Sequence, residues 1–310
     1  MEICLSIASL LLSAVIIYSS QKIFISKKLF DSINKRSSHS VKATRNGGIS
    51  IFLTMFLIVL YFYLSGETIF NYSYIIPILL LLVVGLYDDI YEVDFKLKFI
   101  FQIITAKIII DNGLLIDNFH GLLGIFEINR IIAQVITIFL IVSIINAINF
   151  IDGIDGLAIS VISLFIIMFE IFSVDKTSFQ LLSIVLIFSF IPLLIFNYKK
   201  NMKVFLGDSG SNLLGCIVSI YVLTILSQDY FIDLRYDVNK FFFVVSILSY
   251  PIFDIVYVTL NRLSKGVSPF QADKSHIHHL LLKKVKHHYL VVFYILILSV
   301  SSFSLIHIIL

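Results

Sequence analysis

The residues of this chain that could do chemistry fall in five short polar stretches set between long apolar runs. The densest is Asn146-Ala-Ile-Asn149-Phe-Ile-Asp152-Gly-Ile-Asp155-Gly-Leu157. Two amides and two carboxylates lie close together there, with Gly153 and Gly156 directly behind the acids. Burying such groups in hydrocarbon without partners costs on the order of several kcal/mol each. The stretch therefore faces water, a metal or a charged ligand. Asn149, Asp152 and Asp155 are spaced three apart, so a helical segment would put them on one face. Oxygen donors of this kind suit a hard cation such as Mg²⁺, which takes few protein ligands and completes its shell with phosphate oxygens and water. The bland alternative is that Asp155 caps the following helix, but capping requires one such residue rather than four.

Four further stretches carry the same character. Asp88-Asp89 closes an apolar run after Gly85. Two acids at a helix C-terminus meet its partial negative charge, so Lys96, Lys98 or a metal is expected to offset them. Gly207-Asp208-Ser209-Gly210-Ser211 opens another run, where small residues expose backbone N–H groups and make an anion site. Asp208 as a plain N-cap is the simpler reading. His276-Ile-His278-His279 follows Ser268-Pro-Phe-Gln-Ala-Asp273. With no cysteine and few acids nearby, imidazoles there point to phosphate and sugar hydroxyls rather than zinc. His287, His288 and Lys283–Lys286 read as a solvated basic loop. The first connection holds Arg36, His39, Thr44, Arg45, Gly47 and Gly48, a basic loop whose glycine pair permits close backbone approach. Asp254, deep in an apolar run at Pro251-Ile-Phe-Asp254, is expected to face the interior in a supporting role.

These stretches must be positioned by membrane helices. The 310 residues are 59% apolar and 14% charged, with mean hydropathy +1.00. Soluble domains carry about 25% charge. Continuous Ile/Leu/Val/Phe runs exclude an alternating β-barrel pattern. About ten spans are predicted, at 3–25, 47–65, 72–87, 97–111, 129–146, 156–174, 178–197, 209–227, 240–261 and 288–310, in a single all-α transmembrane domain over 1–310. The first run lacks a basic leader and a cleavage site, so it reads as a span rather than a signal peptide. Cys4 and Cys216 lie in apolar runs and indicate no disulfide framework. Most of the 23 Lys and Arg fall on one set of alternate connections; Arg130, Lys176, Arg235 and Lys240 fall on the other. The positive-inside rule makes the first set cytoplasmic and puts both termini outside. All five polar stretches then share the cytoplasmic face, which suggests chemistry on a lipid-held substrate.

The ordered set Gly85-x-x-Asp88-Asp89, Asn146-x-x-Asn149-x-x-Asp152-Gly-x-Asp155-Gly-Leu, Gly207-Asp208-Ser-Gly-Ser and His276-Ile-His278-His279 resembles the polyprenyl-phosphate N-acetylhexosamine-1-phosphate transferases over nearly the whole chain. The resemblance implies a cytoplasmic cleft in a bundle of ten or eleven helices. It implies Mg²⁺-dependent transfer (Mn²⁺ as the alternative ion) of a sugar 1-phosphate from a UDP-N-acetylhexosamine to polyprenyl phosphate, with release of UMP. Asn149 and Asp208 match the metal positions. Asp88, Asp89, Asp152 and Asp155 match its catalytic acids. Arg36, His39, Thr44, Gly48, Asn146, His276, His278 and His279 match substrate-binding positions. The prolines usual around the threonine are absent, with Lys42-Ala43-Thr44 in their place. His279 is followed by Leu280-Leu281 rather than an acid, which favours the branch that initiates O-antigen, teichoic acid and related surface glycans over the muramyl-pentapeptide branch. The location implied is a bacterial inner membrane. No nucleic acid partner is expected, and a homodimer stays open. Two other classes fit the pattern less well. A transporter would place its ionisable groups near the bilayer midplane. A CDP-alcohol phosphotransferase would carry an arginine where this chain has Asp155-Gly-Leu-Ala.

Overall fold

A computed structural model describes residues 1–31, 42–91, 93–227, 230–233, 239–266, 268 and 275–309. Every predicted span is a helix: α1 (Glu2–Ser26), α2 (Gly47–Leu64), α3 (Ile75–Tyr91), α4 (Phe95–Asp111), α5 (Arg130–Ile151), α6 (Leu157–Ile171), α7 (Gln180–Asn197) and α8 (Gly207–Leu226), with α9 (Lys240–Ile247) and α10 (Ser249–Ser264) in place of the ninth. A short α11 (Ile277–Val285) precedes α12 (His288–Ile309). The described sheet is one parallel pair, β1 (Ala43–Thr44) with β2 (Lys203–Val204), in register Ala43 to Lys203. This is an all-α, multi-pass membrane protein. Seven of the described helices are long and apolar enough to cross a bilayer alone. The expected continuous span over 240–261 is instead broken at Leu248, where α9 and α10 meet at 80°. Pro251 sits in the first turn of α10, just past the break, where its missing N–H and its ring, which would crowd the carbonyl one turn back, are easily accommodated. The fourth and sixth helices are 17 and 15 residues long.

The hub is α8, with 94% of its apolar window buried, packed by α2, α3, α5, α6 and α9. Small residues allow this close packing, as they do between membrane helices generally. Gly85 of α3 lies against the α8 backbone: a Cβ there would sit 2.6 Å from Ser209 Cα. Gly48 of α2 presses equally closely on the Gly210 backbone. At the other side of the bundle, α1 shows a serine stripe to α7, and Ser13 Oγ donates to the Ser189 carbonyl at 2.9 Å.

The two ends of the bundle differ. At one end β1 joins β2, and Gly47 and Gly48 N–H bond the Phe205 and Leu206 carbonyls. That zipper fixes the start of α2 to the start of α8. At the other end the connections tie to one another: His120 Nε2 meets the Leu226 carbonyl at 2.7 Å and Asn239 Nδ2 donates to the His120 carbonyl at 2.9 Å. A second polar knot, Glu170 with Thr177 and Ser183, closes that end.

Candidate active site

The first end gathers the acids. Asp88 and Asp89 occupy the last turn of α3, and Asp208 the first turn of α8. Their neighbours differ sharply. Asp89 accepts the backbone N–H of Asp208 and of Ser209, both at 2.9 Å, and Arg45 Nη1 lies 3.4 Å away. Its side chain is 1% exposed. The N–H groups at the start of α8, expected to bind a ligand anion, are thus taken by a carboxylate of the protein itself. This also resolves the expected conflict at the α3 terminus, because the positive end of α8 sits against the acid. Asp88 accepts from the Val93 N–H at 2.6 Å and from Lys98 Nζ. Lys98 Nζ reaches on to Asp208 Oδ2 at 2.9 Å. The expected offset by Lys98 is therefore direct, and Arg45, from the basic first connection, adds a second cation at Asp89.

Asp208 is half-buried, with 28% of its side chain exposed against 9% for Asp88 and 1% for Asp89. Asn149 Nδ2 donates to Asp208 Oδ1 at 2.8 Å and to Ser211 Oγ at 2.7 Å. One turn deeper, Asn146 Nδ2 donates to Gln102 Oε1 at 2.8 Å, and Asn212 Nδ2 to the Asp208 carbonyl at 2.8 Å. Asn146 thus supports the floor of the cluster. Asp152 follows the end of α5 and is half-buried. Burial, then the charges of Asp208 and Asp89, push its carboxyl well above the usual carboxylate range.

The stretch after Ile151 is not helical, so Asp155 leaves the face of Asn149. Its carboxylate meets Lys203 Nζ and lies 2.9 Å from His288 Nδ1. Tyr198 Oη donates to its carbonyl at 2.9 Å. Burial opposes ionisation, but His288 and Lys203 hold the Asp155 carboxyl below its ordinary value. Asp155 is a fastener between α7, β2 and α12, and His288, read as a solvated residue, is its partner. Nor does Asp155 cap α6: that position is Gly156 at φ 74°, with no side-chain cap.

The histidines close over the same stretch. The His276 ring centroid is 5.6 Å from that of Phe150, the neighbour of Asn149. Gly153 lies beneath His278 and His279, and a Cβ on it would stand 2.5 Å from His278 Nε2. Asp254, His276 and His278 each bring a possible ligand atom within 4.8 Å of the others. Hydrogen bonds already explain this group, however: Asp254 Oδ2 takes His276 Nδ1 at 2.6 Å and Oδ1 takes the Ile277 N–H at 2.7 Å. Thr44 is buried, with Oγ1 donating to Asn46 Oδ1 at 2.6 Å, and it shares the strand pairing. Thr44 and Gly48 therefore build the wall rather than line its opening. Arg36 and His39 lie outside the described residues.

The model of glycosyl transferase family 4 matches residues 71–226, about half of the chain and the part that carries Asp88, Asn149 and Asp208. A Haemophilus influenzae protein named undecaprenyl-phosphate alpha-N-acetylglucosaminyl 1-phosphate transferase is 33% identical over 82% of this chain and 72% of its own length. This chain belongs to that family. Proteins of the same name from Pasteurella multocida and Salmonella typhi are 33% and 30% identical over 82% and 89% of this chain, covering 71% and 75% of their own lengths. As a member of glycosyl transferase family 4 with such relatives, the chain is a sugar-phosphate transferase, of the polyprenyl-phosphate hexosamine-1-phosphate kind that its motifs resemble.

Proposed function

We propose that this family 4 enzyme transfers an N-acetylhexosamine 1-phosphate from its UDP-sugar to undecaprenyl phosphate, releasing UMP and starting a lipid-linked surface glycan. The sugar is GlcNAc or a deoxy relative, and the site faces the cytoplasm at the inner membrane of a bacterium. The relatives' names support the acceptor and the sugar. The excess of Lys and Arg at the connections on the acid-bearing end supports the orientation. The observation that carries the reading is the convergence of Asp88, Asp89, Asn149 and Asp208 from three helices: Asp88 and Asp208 share the Lys98 ammonium, while Asn149 and Asp89 bond the Asp208 side chain and backbone.

Both substrates are anionic, so charge is the first obstacle, and phosphoryl transfer rests mainly on positioning and charge stabilisation. Asp208 and Asn149 would hold Mg²⁺, or Mn²⁺ in its place. The donor set fits: the oxygens are hard, and the acids Asp88, Asp89 and Asp208 outnumber the cations Lys98 and Arg45 among them. When bound, the ion supplies positive charge to the diphosphate. Asp89 acts by fixing the α8 terminus and so aiming Asp208. Asp88 has both oxygens engaged and orients Lys98 toward the acceptor phosphate. No strong base is needed, because a phosphate monoester has a second pKa of about 6 and is mostly deprotonated at neutral pH. His276, His278 and His279 receive the donor's phosphates and sugar over the Phe150–Gly153 stretch.

The test is UMP release by the purified protein from a panel of UDP-sugars with and without undecaprenyl phosphate. Release from a UDP-N-acetylhexosamine, dependent on the lipid and abolished by chelation, is expected. Lipid-independent release, or none with any member of the panel, would overturn the reading.

A further inference from the structure

Asp254 is a fully buried acid that the transfer chemistry does not use. It lies on α10, the half-span tipped by the break at Leu248, one helical turn after Tyr250. Both residues point at the histidine segment. Asp254 Oδ2 holds His276 Nδ1 at 2.6 Å, and its Oδ1 holds the Ile277 N–H at 2.7 Å, at the start of α11. Tyr250 Oη lies 3.0 Å from His278 Nδ1. Each imidazole is thus tied to α10 through the same atom, Nδ1, which leaves Nε2 on the opposite edge of the ring. For His278 that edge is buried, has no hydrogen-bond partner, and lies against Gly153. A buried, unpaired ring nitrogen is costly unless a ligand group completes it. The two rings stack, with centroids 5.4 Å apart, so fixing one constrains the other.

We propose that Tyr250 and Asp254 are positioning residues. They form a rack on α10 that sets the ring orientation of His278 and His276, so that both Nε2 atoms are presented to the nucleotide-sugar over the Phe150–Gly153 stretch. This rests on the proposed transferase reading for the identity of the ligand. A side chain with two oxygens is what the rack requires: one oxygen for the ring and one for the backbone of α11. Tyr250 and Asp254 are four apart, the spacing that puts both on one helix face. The 80° break aims that face; a straight span through 240–261 would carry α10 in another direction.

The rack is tested by kinetics and by hydrogen exchange on the same purified variants. Asp254→Ala and His276→Ala are each expected to lower kcat/KM for the UDP-sugar by roughly 10²-fold, a cost typical of mis-set groups. The double variant is expected to be no worse than either within about threefold, because Asp254 acts through His276. The KM for undecaprenyl phosphate stays unchanged. Asp254→Asn, which keeps one acceptor, recovers part of the loss. Tyr250→Phe, which removes only a hydroxyl, raises the donor KM and leaves the KM for undecaprenyl phosphate unchanged. Losses that add in the double variant, or that fall equally on both substrates, would overturn the proposal. Exchange of the Ile277 amide is read without catalysis. It is expected to speed up in Asp254→Ala and not in His276→Ala, and unchanged exchange in both would also overturn the rack. A wild-type protein with no transfer activity would count against the proposed function alone, since the exchange result still decides the rack.

Discussion

At the scale of single residues, three adjacent acids have three different duties. Asp89 is a buried cap on another helix, Asp88 holds Lys98, and Asp208, the most exposed of the three, joins Lys98 to Asn149. Replacing Asp89 by Asn removes charge from two bonds to backbone N–H groups. The expected cost is about 1–3 kcal/mol, seen as a lower melting temperature. Asp208→Asn relieves repulsion as well as losing contacts. It is expected to melt near the wild type while kcat falls by roughly 10³-fold. Asp88→Asn frees Lys98, and activity should fall by the same factor, about 10²-fold, at pH 8 and pH 5.5; survival at pH 8 alone would instead make Asp88 a base. His278 gives a pH prediction. Burial, then the charges of His279 and His276, hold its imidazole down to about 2 in the folded protein. An unfolded histidine titrates near 6.5, so the unfolded chain takes up a proton that the native state refuses. Stability is complete above that pH and declines as pH falls below it, by about 1.4 kcal/mol per unit. Melting of wild type and His278→Asn at pH 7.5 and 5.5 checks this: the variant should lose much of the acid-side decline. Residue types and spacing singled out Asp88, Asp89, Asn149 and Asp208 in the sequence. What they did not give was the part Asp89 plays at the start of α8, because a cap supplied from a separate helix leaves no local signature.

At the scale of elements, the site depends on how closely three helices approach. Gly85 and Gly48 let α3 and α2 touch the first turn of α8. A Gly85→Ala methyl would meet the Asp208 and Ser209 backbone, and backbone cannot swing aside. We expect about 1–3 kcal/mol of destabilisation together with loss of transfer, measured by melting and UMP release; a fully active, equally stable variant would refute this packing. Apolar runs and their polar ends located the helices well, since length and hydropathy are properties of each segment alone. What was not legible depended on partners far along the chain. Asp155 reads as an equal of Asp152 in sequence, yet Lys203 and His288 draw it away. The break at Leu248 was signalled by Pro251, but the proline was read only as a neighbour of Asp254. The short α11 was hidden in a stretch judged by its charges.

At the scale of the whole molecule, the bundle has one end built for charge and another that ties its connections together. Five stretches were expected to share one face. The described parts of four meet there directly: the last turn of α3, the Asn149–Asp155 stretch, the first turn of α8 and the histidines. The first connection contributes Arg45 against Asp89 and walls in the α8 terminus through β1 and Gly48. The reaction proposed for this end moves a sugar together with its phosphate onto a lipid phosphate. Following the label from UDP-GlcNAc carrying ³²P in the β-phosphate tests it most directly. With purified protein, undecaprenyl phosphate and Mg²⁺, the label is predicted to enter the lipid fraction as unlabelled UMP appears, and to stay in the nucleotide when Asp208 is Asn. Label that remains in UDP while the sugar reaches the lipid would contradict the account.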